Sequence, residues 1–131
     1  SDSDSDKGSS DSPDVAKVEA NTWKLMNIAA GGSATSLPNT IEAPTVEFAD
    51  GKVNVFTSCN SGSGDAEIGD KTIDFGPIAL TKKGCDALST QVEQYMTLVL
   101  DGEAKYSFSQ GNMSLTKGQT SLIFTPDTDA G

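Results

Sequence analysis

Two cysteines, Cys59 and Cys85, are the residues of this sequence most able to do chemistry. They are the only cysteines, and both lie outside the runs of alternating apolar and polar residues. An even count, beside an acidic segment typical of secreted linkers, favours a disulfide, with reduced thiols in a cytosolic protein as the alternative. Closing the loop between them would stabilise the fold by roughly 3.5 kcal/mol. Their spacing is not that of a C-x-x-C redox pair, and two thiolates without histidine seldom complete a zinc site.

Serine hydroxyls in a glycine-rich stretch form a second group of candidates. Ser58, Ser61 and Ser63 lie there, and Lys82 and Lys83 precede the second cysteine. The chain has no histidine, so a serine nucleophile would need a lysine or a carboxylate as its base. A disulfide would bring the serines and lysines together. Small polar residues also build tight loops, and lysines are common at surfaces, so we interpret both groups as structural.

Pairs of carboxylates form a third group. Asp65 and Glu67 are two residues apart and share a face of a predicted strand, whereas Glu47 and Asp74 would meet across strands. Two carboxylates serve as acid and base in glycosidases. All four residues fall on the polar side of alternating strands, where charge is expected without a function. We therefore expect no catalytic residue, no cofactor and no metal site, and we predict that the protein is not an enzyme.

Composition excludes several classes of partner. The chain has 131 residues, with 19 acidic residues, nine lysines and no arginine, which gives a net charge of −10. Nucleic acids and anionic membrane surfaces both need clustered positive charge, so we expect neither as a partner. The length fits one domain, and 35% hydrophobic residues together with the glycines suffice for a core.

Three regions differ in composition along the chain. Residues 1–20 begin with SDSDSDKGSSDSPD and are predicted to be a disordered acidic linker. Residues 21–126 form the predicted domain, and residues 127–131 a flexible tail. No apolar stretch is long enough to span a bilayer.

Most of the domain follows a period of two, as half-buried β-strands do. Trp23 and Leu25 start the pattern, and Asp50-Gly51 is a strong hairpin signal. The later apolar positions with this spacing are Val46, Phe48, Val53, Val55, Ile73, Phe75, Tyr106, Phe108, Met113, Leu115, Leu122 and Phe124. One apolar and one polar face per strand predict a mostly β fold with an antiparallel sheet.

One segment has a helical period instead. Its apolar positions are Leu88, Val92, Tyr95, Met96 and Val99. Thr90 and Glu93 fit a capping box at its start, and Gly102 fits a left-handed cap after its end. The spacing predicts a helix over about 86–100 that packs against the sheet.

The order of these motifs resembles the META domain (HslJ-like) family over roughly residues 21–125. The matching segments are Trp23-Lys24-Leu25, Pro44-Thr45-Val46-Glu47-Phe48, Ser58-Cys59-Asn60-Ser61-Gly62-Ser63-Gly64 and the run from Ile73 to Thr81 followed by Cys85. Ser58 stands where the family commonly has glycine. The resemblance implies a partly open β-barrel-like sheet with one packed helix, and it supplies no established catalytic residues.

The resemblance also implies a cellular context. Bacterial members are frequently envelope proteins behind a lipoprotein-style linker, with proposed roles in stress response and antibiotic tolerance. We therefore expect an extracytoplasmic, monomeric protein, in the envelope or secreted, which would meet the membrane only through an N-terminal lipid anchor whose cysteine this chain lacks. The function expected is non-catalytic binding of an envelope protein through the loop residues Asn60, Ser61 and Ser63. The alternative is a carrier or sensor of a small apolar ligand held inside the barrel.

Overall fold

The structure, a computed structural model, describes residues 13–127. Within that range the chain forms two helices and ten strands. The helices are α1 (Pro13–Glu19) and α2 (Ala87–Val99). The strands are β1 (Thr22–Ala30), β2 (Ser33–Ser36), β3 (Thr45–Ala49), β4 (Lys52–Phe56), β5 (Ser61–Ile68), β6 (Thr72–Phe75), β7 (Ala79–Leu80), β8 (Gly102–Ser109), β9 (Asn112–Lys117) and β10 (Thr120–Pro126). No helix of the described residues is long and apolar enough to cross a membrane.

Eight of the strands form a closed antiparallel barrel in the order β1, β3, β4, β5, β6, β8, β9 and β10. The ring closes because β10 pairs with β1, where Phe124 lies opposite Leu25. β2 pairs with β1 beyond the end of β3, and the two-residue β7 pairs with β5. The predicted class, a mostly β antiparallel sheet of barrel type with a packed helix, is confirmed, but the barrel is closed by the pairing of β10 with β1 and is not partly open.

Apolar side chains fill the interior of the barrel. Phe124 lies opposite both Leu25 and Met113, and Phe48 lies opposite Val53, so the inward positions of neighbouring strands meet in register. All five of these side chains are at most 2% exposed. The alternation in the sequence therefore marks the interior face, as expected for a small barrel.

The N-cap residue of helix α2 is not the one predicted from the sequence. Asp86 is the N-cap, and its carboxylate accepts a hydrogen bond from the backbone amide of Ser89. The hydroxyl and then the amide of Ser89 hold the pKa of Asp86 below its ordinary value. The predicted capping box of Thr90 and Glu93 is therefore wrong, because these residues lie inside the helix. Gly102 has the expected positive φ, +67°, but it begins β8.

Helix α1 lies within the segment that composition assigned to the linker. Val15 and Val18 are three residues apart and share one face of this helix. Val18 is fully buried, and Trp23 Nε1 donates a hydrogen bond to its carbonyl oxygen at 2.9 Å. Residues 13–19 are therefore helical, and Val18 belongs to the core. The remaining linker residues, 1–12, and residues 128–131 of the predicted tail lie outside the described residues.

Candidate functional site

The predicted disulfide joins the loop after β4 to the segment before α2. The Cα atoms of Cys59 and Cys85 are 5.8 Å apart, and the two residues are 26 positions apart in sequence. Cys59 is buried, whereas Cys85 is exposed. Thr57 shapes the loop, because its hydroxyl oxygen accepts hydrogen bonds from the backbone amides of Cys59 and Asn60 at 3.3 and 2.8 Å.

Asn60 is the centre of a network of hydrogen bonds inside the protein. Its side-chain oxygen accepts from Thr81 Oγ1 at 2.9 Å and from the backbone amide of Lys83 at 2.7 Å. Its Nδ2 donates to Glu93 Oε1 at 3.0 Å and to Cys59 Sγ at 3.3 Å. Asn60 is only 3% exposed, so its side-chain amide forms hydrogen bonds inside the protein and is not accessible to a partner.

The two serines predicted beside Asn60 do face solvent. Ser61 and Ser63 are exposed on β5, a strand rather than a loop, and they line a shallow depression on the outer face of β3 to β5. Gly62 between them is required by packing. A Cβ there would collide with the carbonyl oxygen of Ala79, because β7 pairs with β5 at this residue.

Among the described residues, no hydrogen bond joins Ser58, Ser61 or Ser63 to the side chain of Lys82 or Lys83. Ser58 has a φ of +78°, and its Oγ is buried without a hydrogen-bond partner among residues 13–127. Lys83 approaches Asn60 through its backbone amide, while Lys82 and Lys83 both have exposed side chains. Among residues 13–127, no group of three or more metal-ligating side chains is arranged to hold an ion.

Of the two carboxylate pairs considered from the sequence, Asp65 and Glu67 share the exposed face of β5, whereas Glu47 and Asp74 do not meet. Glu47 lies opposite Thr22 and Asn54, so it does not meet Asp74. Asp65 forms an exposed ion pair with Lys52 at 2.7 Å. Asp74 lies between Glu67 on β5 and Glu103 on β8, which makes a row of three exposed carboxylates across the outer face.

An apolar cleft between β2 and α2 is the feature of this surface best suited to binding. It has a volume of about 210 Å³. Its apolar lining comes from Ile28 of β1, Leu37 after β2, and Leu88, Val92 and Tyr95 of α2. Leu88 is 36% exposed, whereas Val92 is buried beneath it. The helical stripe predicted to pack against the sheet therefore leaves part of its apolar surface in this cleft.

The strand beside this cleft has a free edge. Within the part of the chain that the structure describes, β2 pairs only with β1, and all four of its residues are exposed. Ser33, Thr35 and Ser36 line the same cleft. Unpaired backbone amides and carbonyls next to an apolar cleft are the arrangement that accepts an extended peptide as an added strand. This site could not be predicted from the sequence, because Ser33–Ser36 show no alternation of apolar and polar residues.

Comparisons with known proteins identify the fold family. The profile of the META domain matches residues 16–129. A protein from Burkholderia xenovorans, solved by NMR, is 20% identical with a TM-score of 0.70, covering 95% of this chain and 96% of its own. A second NMR structure is 14% identical with a TM-score of 0.67, covering 82% and 90% of the two chains. These likenesses concern the fold, and no curated protein matches the sequence significantly.

Proposed function

Because the chain belongs to the META domain family, we propose that it is a non-catalytic, extracytoplasmic binding module that recognises another protein through the cleft between β2 and α2. The observation that carries this proposal is the apolar cleft beside an unpaired strand edge. The family supplies no catalytic residues that could be carried over.

The occupant that fits this site is an extended segment of a partner polypeptide. Its backbone would pair with β2, and its alternate side chains would enter the cleft against Leu88 and Tyr95. Main-chain hydrogen bonds would supply affinity and the apolar pocket would supply selectivity. The net charge of −10 favours a basic partner, because attraction between opposite charges raises the rate of association.

The proposed location is the cell envelope, with a role in stress or antibiotic tolerance. The Cys59–Cys85 disulfide is compatible with an oxidising compartment, where such bonds persist. The acidic segment ahead of α1 would act as a tether to the envelope. The alternative function, carriage of a small apolar ligand inside the barrel, gains no support from an interior filled by Leu25, Phe48 and Phe124.

Two exposed leucines on one helix provide a matched test of the binding site. Leu88 lines the cleft, whereas Leu98 is 52% exposed and is not among the cleft's lining residues. A photo-crosslinking residue placed at Thr35 in cells of the source organism should trap a partner polypeptide. The purified partner should then bind Leu88→Lys roughly tenfold or more weakly, which corresponds to about 1.4 kcal/mol, and Leu98→Lys normally.

Two results would count against the proposal. One is the absence of any crosslinked polypeptide from position 35. The other is equal weakening by the two leucine variants, which would indicate a general loss of charge complementarity rather than a contact in the cleft.

A further inference from the structure

Three lysines from three separate elements line one groove beside β8. Lys17 comes from α1, Lys71 from the turn between β5 and β6, and Lys105 from β8. The groove has a volume of about 640 Å³, and Ser107 and Thr116 contribute hydroxyl groups to its lining. These lysines are far apart in sequence, so only the closed barrel brings them together.

The backbone and the core hold these lysines in place. The amide of Tyr106 donates a hydrogen bond to the carbonyl oxygen of Lys71 at 3.0 Å, which attaches the turn to β8. Lys105 lies in register between Thr72 on β6 and Thr116 on β9. The groove is therefore built on two paired strands and a tethered turn, and the lysine backbones have little freedom.

Lys17 is held by an aromatic ring at the edge of the groove. Its Nζ lies 5.4 Å from the centroid of the Phe108 ring, a distance at which a cation is attracted to the ring face. Phe108 is in turn packed against Trp23 and Tyr106, with centroids 6.1 and 5.9 Å away. Because the ring is fixed, the ammonium group of Lys17 is directed to one end of the groove.

The charge of this groove is opposite to that of the whole protein. Among the residues that the structure describes, its lining contains three lysines and one carboxylate, Asp70, on a chain whose net charge is −10. Several lysine ammonium groups around one groove suit a phosphate, which carries more negative charge than a carboxylate and which lysine binds as a point charge. We propose that the groove lined by Lys17, Lys71 and Lys105 is a binding site for a phosphate group.

The phosphate could belong to a soluble phosphate ester or to a lipid headgroup. The net charge of −10 repels an anionic membrane, so we expect the soluble ester to bind better. This site is separate from the cleft between β2 and α2, and its lining shares no residue with that cleft. Failure of either proposal therefore leaves the other unaffected.

The test uses phenyl phosphate as the probe and phenol as its uncharged counterpart. Titration of the isotope-labelled full chain at low salt should give saturable amide shifts in residues 70–72 and 105–108 with phenyl phosphate only. The Lys71→Gln/Lys105→Gln variant should bind the probe roughly tenfold more weakly, as expected for lost charge-assisted hydrogen bonds. Lys82→Gln/Lys83→Gln is the matched control, since it removes the same charge from exposed lysines outside the groove, and it should change affinity less than twofold.

Vesicles distinguish the two sources of phosphate. Phosphatidylglycerol vesicles that bind the wild-type chain and are displaced by phenyl phosphate would identify a lipid headgroup, whereas binding of the soluble ester alone would identify a free ligand. The proposal is overturned if no saturable shifts occur in these residues. It is equally overturned if both lysine pairs weaken binding to the same extent, because attraction would then depend on total charge alone.

Discussion

The carboxylate of Glu93 accepts a hydrogen bond from Asn60 Nδ2 at 3.0 Å, although 33 residues separate the two in sequence. The same oxygen accepts a second bond from Thr57 Oγ1 at 2.6 Å. Thr57 and Asn60 are both buried, so neither donor has ready access to water. Glu93 therefore fixes helix α2 to the loop that carries Cys59.

Replacement of Glu93 should destabilise the protein strongly. Glu93→Ala removes the charged acceptor that two buried donors share and leaves them only the neutral acceptors Asn60 O and Cys59 Sγ, which should lower the free energy of unfolding by about 3 kcal/mol. Glu93→Gln retains an acceptor oxygen and should lose only about 1 kcal/mol, the difference between a charged and a neutral acceptor. Denaturant titration gives both values. Gln94→Ala, at the exposed neighbouring position, is the control, and an equally small effect of Glu93→Ala would show that the network contributes little.

The disulfide should contribute a comparable amount by a different mechanism. Reduction, or the double variant Cys59→Ala/Cys85→Ala, should lower the free energy of unfolding by roughly 3.5 kcal/mol, since the open loop regains conformational entropy in the unfolded chain. Thermal unfolding with and without reductant measures this change. An unchanged melting curve together with two alkylatable thiols in the native protein would contradict the bond and remove the local argument for an oxidising compartment.

Much of this fold could be predicted because its signals are local. The alternation at Val46 and Phe48 and the turn at Gly51 lie within a few residues of each other. The alternation correctly predicted a strand, and the glycine correctly predicted the turn after it. Glu93 shows the limit of such patterns. Its spacing from Thr90 satisfies the pattern of a capping box, but its partners in the structure are 33 and 36 residues away. Only the three-dimensional arrangement decides between the two roles.

The candidate sites illustrate the same limit. The pairing of Cys59 with Cys85 could be predicted from an even cysteine count, which needs no geometry. The exposure of Ser61 and the burial of its neighbour Asn60 could not, because both are small polar residues of one loop-like stretch. Lys17 and Lys105 are 88 positions apart in the numbering and meet at one groove only after α1 packs on the barrel.

Replacing Ser58 with glycine should increase the stability of the protein. Ser58 has a φ of +78° and a buried hydroxyl without a partner, and both features cost free energy. Ser58→Gly removes both costs and should raise the free energy of unfolding by about 1–2 kcal/mol. Ser58→Ala removes only the hydroxyl and should stabilise less. A melting temperature that rises more for alanine than for glycine would contradict the conformational part of this explanation.

Reversing the charge at the centre of the row of carboxylates on the outer face should stabilise the protein. Asp74 lies directly between Glu67 and Glu103, and like charges opposite one another on neighbouring strands are unfavourable. Asp74→Lys should raise the free energy of unfolding by about 0.5–1 kcal/mol at low salt, and the gain should shrink in 1 M salt as the charges are screened. The measurement is denaturant unfolding at the two salt concentrations.

Glu47→Lys separates this local effect from the net charge. It changes the total charge by the same amount, but Glu47 lies opposite the uncharged residues Thr22 and Asn54. If Glu47→Lys stabilises the protein as much as Asp74→Lys, the gain comes from lowering the overall charge of −10 and not from the row itself. A gain confined to Asp74→Lys would instead show that repulsion among these three carboxylates lowers the stability of the folded protein. The strand register of the barrel places them side by side and so causes this repulsion.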